Sequence, residues 1–123
     1  MPFMILAKEA YYTMHLLEKY ANNFNTSDPT ALASTFDADC IFSDMAPTVS
    51  GMDPMWVYGC ESVEMVFKMY FSAMEMSIEV IRIEGDTMDY DVKYPGFTMP
   101  CRGTLIEERA GKIKRYNVQV RDY

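Results

Sequence analysis

Histidine is almost missing from this chain: His15 is the only one among 123 residues. A metal centre built on several histidines is excluded, and a Ser-His-Asp triad has a single base to draw on. His15 itself reads as a helix-surface or packed residue. Cysteine is scarce as well. Cys40, Cys60 and Cys101 are an odd number with no Cys-x-x-Cys or zinc-like spacing, which indicates neither a disulfide framework nor a metal site and fits a reducing cytoplasm. The three read as packed, neutral thiols. Basic residues are outnumbered, 11 against 18 acidic, and the net charge of −7 repels phosphate backbones and anionic lipid. The one basic cluster, Arg109, Lys112, Lys114 and Arg115, falls on an expected hairpin, so neither nucleic acid nor membrane is an expected partner.

Long apolar runs are also missing. The stretch Met1 to Ala7 is stopped by Lys8 and Glu9, too soon for a membrane span or a signal-peptide core, and no leader is expected. No repeat, low-complexity tract or linker interrupts the chain. A single domain over residues 1–123 is therefore expected. What the chain has in quantity is apolar side chains, 50% of residues, with 14% aromatics and 12 methionines. Large rings and flexible thioethers fill ordinary cores, and they also line apolar cavities.

Apolar residues recur three and four apart from Met4 to Phe24, through Leu6, Ala10, Met14, Leu17 and Ala21. This spacing predicts one long amphipathic helix. A second stripe, Tyr12, Leu16 and Tyr20, widens its apolar face, so the helix is expected to lie across a sheet. Asp28 can cap free amides and Pro29 suits a first helical position, which ends the first helix and starts a short second one carrying Leu32, Ala33 and Phe36. Asp39 to Asp44 alternates as a short strand and leads into a polar loop holding Trp56, the only tryptophan. Gly59 to Met74 predicts a third helix. From Ser77 onward β-branched and aromatic alternation predicts strands over Ser77–Glu84, Met88–Tyr94, Thr98–Arg109 and Lys112–Arg121. The turn pairs Gly85-Asp86, Pro95-Gly96 and Ala110-Gly111 separate them. Helices first and an antiparallel meander afterwards is an α+β arrangement.

The stretch Tyr20 to Asp44, YANNFNTSDPTALASTFDADCIFSD, with this order of elements, resembles the nuclear-transport-factor-like (cystatin-like) superfamily and within it the SnoaL-like, steroid Δ-isomerase-like branch. The carrying features are Tyr20 on the first helix, Asn25 with Asp28, Leu32 with Phe36, and Asp44 at a strand end. The resemblance implies an α+β barrel, a curved antiparallel sheet wrapped around a long N-terminal helix and two shorter ones. It also implies one cone-shaped pocket, no cofactor, and a homodimer formed through the sheet. In that branch the aspartate moves a proton between carbons of an enone while the tyrosine hydroxyl hydrogen-bonds the developing enolate oxygen.

On that resemblance Asp44 and Tyr20 are the candidate catalytic pair, acting on a small apolar or carbonyl-containing molecule. Phe42, Trp56, Tyr58, Phe67, Gly103, Tyr116, Val118 and Val120 are the candidate pocket lining. The isomerases carry a second donor, a protonated carboxylic acid, at a position that falls on or near Gly103, where this chain has none. Plainer readings stand beside these: Tyr20 as a core tyrosine satisfied by a neighbour, and Asp44 as a solvated strand-end aspartate. A non-catalytic ligand-binding domain and a dimerisation module are the alternatives to an enzyme. Val80, Ile81 and Ile83, which break strict alternation, would be the mark of the dimerisation module.

Overall fold

The computed structural model of the chain describes residues 15–121. The first helix, α1, spans Leu16–Asn25, so the portion of the expected long helix before His15 lies outside the described residues. Helix does not run through His15 as expected. Its backbone is extended at ψ 142° and it caps α1, with the imidazole Nδ1 accepting from the Leu17 N–H and the Glu18 carboxylate accepting from the His15 N–H. A ring nitrogen that accepts close to the backbone satisfies a free helix amide, as a hydroxyl or carboxylate cap would.

Helix α2 covers Pro29–Ala33, and Asp28 accepts from the amides of Thr30 and Ala31 at 3.0 and 3.1 Å. It is shorter than expected, because Phe36 already opens strand β1, Phe36–Asp44. A 3₁₀ turn at Ala46–Ser50 precedes β2, Met55–Tyr58, a strand read from the sequence as loop. Helix α3 is Cys60–Ala73, and β3 to β6 are Ser77–Glu84, Thr87–Tyr94, Phe97–Arg109 and Lys112–Val120. Their boundaries lie within a residue or so of the expected ones. The turn between β5 and β6 places Ala110 and Gly111 both at positive φ, 50° and 77°, as a tight two-residue hairpin requires.

The six strands form one open sheet in the order β2-β1-β6-β5-β4-β3. Antiparallel pairing holds throughout except where β1 runs parallel to β6, with Phe42 beside Tyr116 and Asp44 beside Val118. The sheet is therefore mixed rather than wholly antiparallel, and with the outer edges of β2 and β3 left unpaired among the described residues it does not close into the expected barrel. Register shifts in β1, β3 and β5 are the kind of irregularity at which a sheet bends. The helices cover the face carrying Met88, Tyr90, Val92, Cys101, Tyr116 and Val118, all buried. Asn25 fastens α1 to the sheet: its side-chain amide donates to the Ile78 carbonyl at 2.8 Å and accepts from the Ile78 N–H at 2.6 Å.

The other face of the sheet is polar at its centre. Asp89, 7% exposed, is held by Arg102 at 2.7 Å and Arg82 at 3.3 Å, and Arg121 pairs with Asp91. Val80 and Ile81 on β3, the strand at one edge, are exposed, with the register shift falling between Val80 and Arg82. Among the described residues no helix is long and apolar enough to cross a membrane.

Candidate functional site

A cavity of about 470 Å³ opens between the helices and the inner sheet face. Tyr20 and Phe24 of α1, Phe67 and Tyr70 of α3, and Phe42 and Asp44 of β1 contribute to one side of it. Tyr90, Val92 and Tyr94 of β4, Met99 and Cys101 of β5, and Val118 of β6 form the sheet side. Methionines and aromatics dominate this wall, and among the described residues Asp44 is the one carboxylate on it. A shallower hollow of about 320 Å³ lies on the opposite face, but its arginines, Arg82 and Arg102, are already engaged by Asp89.

Strand alternation explains how Asp44 comes to face the cavity. Phe42 and Asp44 share one side of β1, two residues apart, and Phe42 is buried at 2% exposure beside Tyr116. Asp44 is half-buried and takes a hydrogen bond from the Ala46 N–H at 2.9 Å. Burial pushes its carboxyl above the ordinary aspartate range, and the Ala46 amide offsets only part of that. Among the described residues none of the ion pairs involves Asp44. A carboxylate in such surroundings, without a cation, is a stronger base than one in water.

Tyr20 is 2% exposed to solvent yet lines the cavity. Its ring lies 4.8 Å from that of Tyr116 and 6.1 Å from those of Phe24 and Phe36. Burial raises the Tyr20 and Tyr90 phenols well above their usual values, and it pushes Tyr94 up to about 12. All three stay protonated at neutral pH, so each can donate its O–H to a neutral or anionic acceptor while its oxygen accepts from a donor. Tyr70 donates to the Met55 sulfur at 3.2 Å. Cys101 also lines the cavity, but burial raises its thiol to about 12 and that of Cys40 to about 11, so neither is a nucleophile.

Of the expected pocket lining, Phe42, Phe67 and Val118 are on the cavity wall. Trp56 and Tyr58 are not: they are 49% and 62% exposed, because β2 pairs with β1 so that Val57, opposite Phe42, is the residue turned inward. Val120 is half-buried outside the lining. Gly103 and Tyr116 also lie off the wall, and for one reason: the Tyr116 phenol lies over Gly103. A Cβ at that glycine would stand 1.9 Å from the Tyr116 hydroxyl oxygen and 2.6 Å from its Cζ. Among the described residues that buried hydroxyl has no partner in hydrogen-bonding geometry, although those of Tyr90 and Tyr20 are near enough to moderate its ionisation.

Tyr90 and Tyr94 escaped the sequence reading as site residues. Their signal was present, since Met88, Tyr90, Val92 and Tyr94 alternate on one face of β4, but alternation does not say which sheet face carries the hollow. Among the described residues no three histidine, cysteine, aspartate or glutamate side chains converge as a metal site.

No family model matches the sequence, and no curated protein matches it either. Solved structures do. An NTF2-like protein of unknown function from Cytophaga hutchinsonii is similar with a TM-score of 0.67 at 16% identity, covering 89% of this chain and 93% of that one. A protein with a ketosteroid isomerase-like fold from Catenulispora acidiphila gives 0.63 at 21% identity, covering 88% and 86%. A SnoaL-like protein from Burkholderia thailandensis gives 0.65 at 12% identity, covering 84% and 88%. At these identities the likeness is one of architecture: the chain has the α+β fold of the nuclear-transport-factor-like, SnoaL-like superfamily.

Proposed function

We propose that this chain is a small-molecule pocket protein that moves a proton, without a cofactor, on a small, largely apolar carbonyl compound. One observation carries the reading: Asp44, unpaired with any cation among the described residues, stands on the wall of an apolar cavity whose other polar groups include the phenols of Tyr20 and Tyr90. In the reaction the Asp44 carboxylate takes a proton from a carbon next to the carbonyl. The C–H electron pair moves into the new carbon–carbon double bond, and the carbonyl π pair moves onto oxygen. Tyr20 donates to that enolate oxygen, and Asp44 then returns the proton to the ligand, at the same carbon or further along a conjugated system. Charge thus develops where a buried phenol can meet it, on a largely apolar wall.

A 470 Å³ hollow suits a molecule of modest size rather than a polymer. Deuterium uptake into a small cyclic enone in D₂O, followed by NMR, tests the reading. The native chain is expected to accelerate it, and Asp44→Asn to abolish it while leaving ligand affinity nearly unchanged. Full exchange by the Asn variant would overturn the assignment. Gly103 favours a second reading, a domain that binds such a ligand without reaction, since no carboxylic acid occupies that position. Ligand binding without exchange by the native chain would establish it.

A further inference from the structure

A tyrosine lies over the backbone of Gly103, and what surrounds it gives the arrangement a purpose. Gly103 is on β5, between β4 and β6. Its register partners are Met88 on one side and Val118 on the other, while Tyr90 is paired with Cys101 and Tyr116 with Leu105. Tyr90 and Tyr116 therefore flank Gly103 diagonally from the two neighbouring strands, on the buried face. A glycine inside a strand commonly marks a close approach by another group. Here the approaching group is the Tyr116 hydroxyl, 1.9 Å from the place a Cβ would occupy. Any other residue at 103 would displace it.

The third phenol comes from the helix. The Tyr20 ring packs on that of Tyr116 at 4.8 Å, and the Tyr90 phenol is near enough to interact with both, so three buried phenols from α1, β4 and β6 meet at one place. Two of them, Tyr20 and Tyr90, line the cavity; Tyr116 lies behind, its buried hydroxyl close to both but in hydrogen-bonding geometry with neither. A buried hydroxyl ordinarily finds a partner, and the phenols of Tyr20 and Tyr90 are at hand. Hydrogen bonds at a reaction site are often loose before the ligand arrives and tighten around it.

We propose that Tyr90 is a second hydrogen-bond donor to the ligand's carbonyl oxygen, beside Tyr20, and that Tyr116, seated over Gly103, is the positioning residue that holds both phenols in place. This rests on the proton-transfer reading of Asp44. A hydroxyl donates one proton and accepts others. Tyr116 can therefore donate to the Tyr90 oxygen while the Tyr90 proton is turned to the ligand. The chain then needs no carboxylic acid at 103: phenols anchored on the adjacent strands and the helix supply the donors. The ligand class narrows accordingly, to compounds whose carbonyl oxygen becomes an enolate or dienolate at the tyrosine end of the cavity while the acidic carbon faces Asp44.

The test uses 4-nitrophenol, whose ionised form is yellow and resembles a conjugated enolate, with the full chain carrying Asp44→Asn so that no like charge opposes the oxyanion. Bound yellow phenolate is expected. Adding Tyr90→Phe, or Tyr20→Phe, is expected to weaken its binding about tenfold or more, as the loss of a hydrogen bond to a charged group does. Tyr116→Phe is expected to weaken the phenolate while leaving the affinity for neutral 4-nitrotoluene unchanged, a discrimination that a purely structural loss would not make. If Tyr20→Phe weakens the phenolate and Tyr90→Phe does not, this inference falls and the Asp44–Tyr20 pair survives. If no phenolate binds, the inference falls, and whether the Asp44 reading falls with it is decided by deuterium exchange on the native chain. Should Tyr90→Phe fail to fold, a ring-carbon NMR label placed at Tyr90 decides instead. Its signal is expected to shift on adding 4-nitrophenol to the Asp44→Asn chain, and an unmoved signal overturns the proposal.

Discussion

Gly103 and Tyr116 share one volume: the space a side chain at 103 would need is filled by the phenol of Tyr116, with oxygen 1.9 Å and Cζ 2.6 Å from the position of the missing Cβ. The two residues are therefore coupled, and the coupling can be measured. Gly103→Ala forces the ring aside in a packed core and is expected to cost about 1–3 kcal/mol in urea unfolding. Tyr116→Phe in the same chain removes the nearest atom but leaves the ring, and is expected to recover part of that loss. Strict additivity of the two changes would show that the ring does not lie over the glycine.

Asp44 makes a pH prediction with a definite sign. Burial raises its folded-state carboxyl above the unfolded value, so the ionised form is the one the fold disfavours. That cost is absent below the unfolded value, grows as pH rises toward the folded one, and is constant above it. Asp44→Asn is expected to be more stable than the native chain at neutral pH, with the difference vanishing in acid. The acid limb of the proton-exchange rate should lie above the ordinary carboxylate range. Unfolding midpoints and exchange rates at stepped pH check both statements.

Asp89 predicts the opposite trend. Hydrogen bonding to Arg102, helped by Arg82, holds its carboxyl below the ordinary range. Its contribution is fully present above the unfolded value and is lost as pH falls through the folded one. Asp89→Asn is expected to cost about 1 kcal/mol at neutral pH, a modest figure because both arginines are partly solvated. The two chains should converge at low pH, and a gap that persists there would assign the loss to packing.

Asn25 is expected to matter more than its exposed position suggests. Its amide makes two hydrogen bonds to the backbone of Ile78, substituting for a neighbouring strand and tying α1 to β3. Asn25→Ala leaves both groups of Ile78 seeking water and is expected to cost about 1–3 kcal/mol. Hydrogen exchange at the Ile78 amide should quicken out of proportion to the rest of β3.

Local chemistry was the legible part of this fold. The Asp28 cap, the Ala110-Gly111 turn and the strand alternation after Ser77 depend on near neighbours in sequence, and all are found close to where they were expected. What depended on distant partners was not legible. Trp56 looked like a pocket residue until the pairing of β2 with β1 turned Val57 inward in its place. Helix α1 starts at Leu16 because an imidazole caps it, a use of histidine that periodicity alone does not reveal. At the candidate site, the alignment of Tyr20 with Asp44 could be read along the chain. The meeting of Tyr20, Tyr90 and Tyr116 could not, since it joins three elements up to 96 residues apart.

The parallel pairing of β1 with β6 sets an order of events during synthesis. Asp44 leaves the ribosome well before the strand that lies beside it, because its register partner, Val118, is 74 residues further along the chain. Until then β1 has only β2 to pair with, and one of its edges stays open. Contacts this distant in sequence are slow to form and expose strand edges while they wait. The carboxylate is therefore made before its pocket, and the cavity cannot close around it until β6 has joined β1.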